Sequence, residues 1–296
     1  MVVKAWTFDE LYGRDGCFLD GLDQRGEAFV GEVPPNFHVW LSKPKKRKTP
    51  AKKRGGRPRQ RPKLPRSSTV ENLSRHSRAF TGQRAQQYRI KDTCKGPEVW
   101  EIKWHECWRK RPTDGQVSRR CTLIVARNVL TGEVKYFLSN RMPGCDGWTL
   151  REVLRVAFGR WQVEACFREA KEELGLDHFE CRGWRCIHRH LYVTILSQLF
   201  CAQVRQKLSP STLVASGELL TMEQVRRAAN VYLDALELTP SQLREKFAQE
   251  LSRQTYYAGR SATAAKSHRK TRIKQLTELG IDPERIKSVL PKNASD

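Results

Sequence analysis

The segment Val2-Val3-Lys4-Ala5-Trp6-Thr7-Phe8 is short and apolar, and it runs directly into Asp9. Read as a strand, it delivers a carboxylate at its C-terminal end. Much further along, Arg160, Glu164, Arg168 and Lys171 recur with a helical period. At about 100° per residue they share one face, within an arc of roughly 80°. Leu154, Phe158 and Trp161 border that stripe on one side, and Val163, Phe167, Ala170 and Leu174 on the other. A solvated helix sets its charges opposite its apolar face. Charges running between two apolar flanks instead suit a carboxylate at the floor of a groove. The plainer reading of the helix alone is an i,i+4 ion-pair ladder.

Asp9, Tyr12 and Gly13 follow the strand, and Arg160, Glu164 and Lys171 follow on the helix. After them come Leu174-Gly175-Leu176-Asp177-His178-Phe179-Glu180, Arg182, Trp184 and His188-Arg189-His190. In this order the residues resemble the DDE transposases of the IS4/IS701-like insertion-sequence group, over Val2 to Phe200. The resemblance implies a ribonuclease-H-like α/β core, a β-rich insertion between the second and third acids, and a helical C-terminal part. It implies Asp9 and Glu164 as catalytic and metal-ligating acids for Mg²⁺ (or Mn²⁺), and Tyr12, Arg160, Arg168 and Lys171 as DNA contacts. Two-metal phosphodiester chemistry needs carboxylates holding ions about 4 Å apart, and Mg²⁺ prefers oxygen ligands. Arg meets a phosphate as a planar fork and Lys as a point charge. The family's Tyr before Arg160 is replaced by Ala157.

The resemblance also implies a first acid on an opening strand upstream of Asp9, where only eight residues precede it. The expectation is therefore an incomplete core, missing its first strands and first acid, and inactive by itself. Glu10, Asp15, Asp20 and Asp23 follow the strand and read more simply as loop or helix-surface residues. Expected partners are DNA (transposon ends and target) and a second copy or a full-length transposase. The other class of reading is a non-catalytic basic DNA- or RNA-binding protein.

A net charge of +23 favours a polyanionic partner. No run of eighteen apolar residues suggests a membrane span, and no secretory-signal order opens the chain. The nine cysteines lack a framework spacing and read as reduced thiols of a cytosolic, nucleoid-associated protein. Between Ser42 and Arg66 about half the residues are Lys or Arg, with almost nothing to bury. Such a segment cannot offset its ordering entropy. Its Arg54, Arg57 and Arg59, spaced by Gly and Pro, resemble an AT-hook that follows a narrow minor groove. A non-specific phosphate-binding linker is the simpler alternative.

Composition divides the chain into 1–41 (core remnant with the second acid), 42–87 (basic disordered linker) and 88–145 (β-rich insertion). Residues 146–208 form the helical part with the third acid, and 209–296 a helical, partly disordered tail. Leu130-Thr131-Gly132 between two apolar runs signals a hairpin. Trp100, Lys103, Trp104, Trp108, Arg109, Lys110 and Arg111 interleave aromatics and cations, as a DNA grip or as the two faces of a sheet. Helices are expected over 149–174, 190–208, 221–236 and 240–256, with Thr221 and Thr239 as N-caps, and a weak one near 282–289. Cys181, Cys186, His188 and His190 have zinc-ligand chemistry. They are crowded into ten residues, whereas structural sites draw on separated pairs. The alternative packs the cysteines and leaves the histidines near DNA or at a helix cap.

Overall fold

The structure is a computed structural model that describes residues 3–46, 64–145, 147–208, 220–235 and 238–289. Arg54, Arg57 and Arg59 lie outside the described residues. The chain divides into two compact units. One holds the residues up to Arg160 and those from Lys266 onward, and the other holds Trp161–Ala265.

The first unit opens with helices α1 (Glu10–Gly13) and α2 (Gly16–Gln24) and strands β1 (Val30–Glu32) and β2 (His38–Val39). Next come β3 (Ser68–Thr69), α3 (Val70–His76), α4 (Arg78–Thr81), β4 (Gln86–Thr93), β5 (Gly96–Cys107), β6 (Cys121–Asn128), β7 (Val134–Ser139) and α5 (Leu150–Gly159). A short β8 (Lys287–Ser288) comes from near the C-terminus. Six strands form one sheet in the order β1-β7-β6-β5-β4-β8. All neighbours pair antiparallel except β8, which runs parallel to β4.

Strand alternation sorts the core into two layers. Trp100, Ile102, Ile124, Ala126 and Phe137 face α5 through Val153, Leu154 and Ala157. Cys107, Cys121, Leu123 and Leu138 face the other way, onto Leu19, Leu22, Val70 and Phe80 of α2, α3 and α4. Most of β6 is buried, as a central strand covered by helices on both faces requires. The predicted hairpin joins β6 to β7, with Gly132 at φ +74° and Asn128 Oδ1 accepting from the Leu130 and Thr131 amides.

Several expectations change. The strands expected as an insertion share one sheet with β1, through Val30↔Ser139 and Glu32↔Phe137. Residues 64–87, grouped with the linker on composition, are folded: Thr69 caps α3, and Val70 and Phe80 are fully buried. The tail is helical well beyond Tyr256 in α9 (Pro240–Glu278), where Leu276 seals against Val99 and Ile281. The helix expected near 282–289 is instead β8, held by the Val289 amide on the Arg89 carbonyl. An edge strand offers unpaired carbonyls, and an extended tail satisfies them.

The second unit holds α6 (Trp161–Leu174), α7 (Trp184–Leu208), α8 (Met222–Asp234) and the first part of α9. Cys201, Met222 and Val225 form its small core with Leu174, Val204 and Leu220. Thr221 and Gln224 close a capping box at α8. Thr239 accepts from the Gln242 amide at the start of α9, with Pro240 as the first helical residue. Pro is tolerated there because that amide has no helical partner.

Candidate functional site

The segment before Asp9 is extended and lies parallel beside β1. The Trp6 amide donates to the Ala28 carbonyl (2.8 Å), and the Val30 and Glu32 amides donate to the Trp6 and Phe8 carbonyls (2.9 and 3.0 Å). Two glycines permit the close packing. A Cβ on Gly31 would fall 1.9 Å from the Phe8 ring, and one on Gly13 1.8 Å from the Glu32 carbonyl oxygen. Phe8 is buried, with its ring 5.2 Å from Phe18 and 5.7 Å from Phe29. The chain then leaves the extended segment at Asp9 and turns into α1.

Asp9 caps that turn: its Oδ1 accepts from the amides of Leu11 (3.1 Å) and Tyr12 (3.4 Å). Tyr12 is exposed, with its ring 5.5 Å from Phe18. Asp9 is half-exposed where the extended segment ends. Its capping bonds are what a purely structural aspartate would make.

Of the neighbouring acids, Asp15 caps α2. Asp20 and Asp23 are not surface groups. Arg109 Nη1 meets Asp20 at 2.6 Å and Nη2 meets Asp23 at 2.9 Å, with Arg109 and Asp20 both 1% exposed. Thr113 Oγ1 donates to Asp20 (2.6 Å) and Asn140 Nδ2 to Asp23 (3.0 Å). These two carboxylates are consumed in anchoring α2. Arg109 therefore does not grip DNA, and Trp100 is core, with its indole N–H on Glu98. Lys103 donates to the Phe80 carbonyl and Arg111 pairs with Asp114. Of that aromatic and cationic run, Lys110 is exposed. Spacing alone could not have singled out Arg109, because its partners lie 86 and 89 residues away.

Arg160 belongs to the first unit and Glu164, Arg168 and Lys171 to the second. The helix expected over 149–174 is interrupted at Arg160, between α5 and α6, directly after Gly159. Glycine weakens a helix there, and the Thr149–Glu152 capping box and the buried face of α5 set its register independently. Ala157 faces the sheet core. Glu164, Arg168 and Lys171 are exposed. The intended apolar flanks Trp161, Val163 and Phe167 are also 46–57% exposed, whereas Ala170 is buried. Within its own unit the stripe is thus a surface, not a groove floor.

Beyond it, Gly175 ends α6 at φ +68° and the Leu176 amide turns back to the Ala170 carbonyl. His190 Nε2 lies 2.8 Å from the Gly175 carbonyl oxygen, which ties α7 to this turn. His188 rests on Trp184, ring centroids 4.0 Å apart. With both histidines so occupied, the zinc reading of Cys181, Cys186, His188 and His190 gains no geometric support. Among the described residues no three His, Cys, Asp or Glu side chains gather as a metal-holding group. Also among them, no helix is long and apolar enough to cross a membrane.

The family model described as DDE superfamily endonuclease matches residues 3–97. The match takes in Asp9, Tyr12, Gly13 and the helices packed behind them, and stops before Glu164. It supports a DDE-type relationship for that third of the chain. No curated protein sequence matches the chain significantly.

Proposed function

We propose that this is a DDE transposase-related DNA-handling protein of the IS4/IS701-like kind. In this reading Asp9 is the second and Glu164 the third acid, and Tyr12, Arg160, Arg168 and Lys171 face DNA phosphates. The cationic run with Arg54, Arg57 and Arg59 adds sequence-independent affinity for the duplex. The observation that carries the reading is the family match across the extended segment that presents Asp9. Mg²⁺ or Mn²⁺, when bound, would supply charge stabilisation at the scissile phosphate. Two acids make an incomplete ligand set, and Asp20 and Asp23 are already committed to Arg109. Cleavage by this chain alone is therefore not expected, and a third carboxylate would come from a partner such as a full-length transposase.

The test pairs Mn²⁺ titration followed by electron paramagnetic resonance with a nicking and joining assay on duplex DNA. Weak Mn²⁺ affinity lost in Asp9→Asn and in Glu164→Gln, without nicking, is the expected result. Affinity unchanged in both variants would sink the DDE roles. It would leave the basic nucleic-acid-binding reading, which the capping bonds of Asp9 already accommodate. Strand transfer abolished by Asp9→Ala would overturn the incompleteness.

A further inference from the structure

The first three turns of α7 carry a row of aromatic rings on the surface of the second unit. Trp184, His188 and Tyr192 follow at four-residue steps, about 6 Å apart along the helix axis. The Trp184 and His188 ring centroids are 4.0 Å apart, and those of His188 and Tyr192 6.1 Å. Trp184 is 75% exposed and Tyr192 64%, whereas Trp100 and Phe137 in the sheet core are each 2% exposed. Rings left in water forgo a large gain from burial, so a contiguous exposed row marks a binding surface.

The surrounding charges narrow the ligand. Arg182, Arg185 and Arg189 are exposed beside the row, and no salt bridge engages them among the described residues. α7 itself contains no Asp or Glu over its 25 residues. An apolar protein face would strip water from these guanidinium groups without replacing it, whereas phosphates meet them as planar forks. In a duplex the base faces are hidden in the stack. Aromatic side chains reach them where the strand is unpaired.

We propose that this end of α7 is a stacking platform for unpaired DNA. Bases lie on Trp184 and Tyr192, and the backbone phosphates meet Arg182, Arg185 and Arg189. His188 sits between the two larger rings and fixes their spacing. Such stacking tolerates any sequence, because every base has a π-face. The platform needs neither Asp9 nor Glu164. Only the choice of DNA over RNA rests on the proposed DDE relationship.

The experiment follows fluorescence anisotropy of labelled oligonucleotides bound by the full chain, at a salt concentration that suppresses purely ionic contacts. The probes are an oligothymidine of about twelve nucleotides, an oligouridine of the same length and a blunt DNA duplex. Trp184→Ala should weaken oligothymidine binding roughly 5- to 150-fold, the contribution of one stacked base. Duplex affinity should stay within about twofold, because a duplex is held through its phosphates. Trp184→Phe, which keeps a ring, should recover most of the loss. Arg185→Ala combined with Arg189→Ala should lower the salt slope on the single strand by about 0.7 for each phosphate contact removed. Unchanged oligothymidine binding in Trp184→Ala, or an equal loss on the duplex, would overturn the proposal. So would oligouridine bound more tightly than oligothymidine, or no binding of oligothymidine by the unaltered protein. None of these readouts involves a metal, so a failed Mn²⁺ titration leaves the platform standing and a failed platform leaves Mn²⁺ affinity unchanged.

Discussion

Replacing Arg109 by Met keeps the packing of its stem and deletes the charge that Asp20 and Asp23 share. The three side chains are 2%, 1% and 10% exposed. At an effective dielectric near 20, each pair contributes on the order of 4 kcal/mol of attraction at ~4 Å. Desolvation cancels much of that while the cluster is intact. Removing the arginine leaves the acids buried without a counter-charge, and losing one partner of such a pair costs roughly 3–5 kcal/mol. For a unit of this size, each kcal/mol lowers the midpoint by about 2–4 °C, so the first unit should melt roughly 6–20 °C earlier. Tryptophan fluorescence and calorimetry on the full chain would record it. Hydrogen exchange should locate the loosening in α2, next to Asp9. Adding Asp20→Asn and Asp23→Asn to Arg109→Met should recover more than half of the loss, because the uncompensated charges are then gone. A loss below about 1 kcal/mol for Arg109→Met, or no recovery in the triple variant, would refute the buried-cluster argument.

Gly31→Ala places a methyl group inside the Phe8 ring contact; overpacking of this kind costs about 1–3 kcal/mol, measurable by urea denaturation. Glu152 is held down to about 2 by its hydrogen bond from Lys4, then by the Thr149 amide and hydroxyl. A depressed carboxylate contributes stability above its unfolded value of 4.5, lost as pH falls through about 2. Lys4→Ala should therefore flatten the fall in melting temperature across that acid window, and an unchanged pH profile would count against the contact. DNA binding should weaken steeply with salt, log K falling about 0.9 per neutralised phosphate for each unit of log salt. Deleting residues 42–66 should lower that slope, whereas an unaltered slope would assign the grip to other cations.

Local rules carried much of the architecture. The β6–β7 hairpin, the caps at Thr149, Thr221 and Thr239, and the carboxylate delivered by an extended segment at Asp9 all follow from neighbouring residues. Each depends on hydrogen bonds or periodicity within a few positions, so short-range sequence suffices. Tertiary structure decided what depends on partners distant in sequence. It sent Arg109 inward to Asp20 and Asp23, joined β1 to the strands read as an insertion, and laid β8 along the β4 edge. It also left Trp161, Val163 and Phe167 exposed on α6 while burying Ala170 beside them. A pattern of apolar and charged residues states which groups prefer burial. Only the packing of distant segments determines which obtain it, and which charges find a counter-ion there.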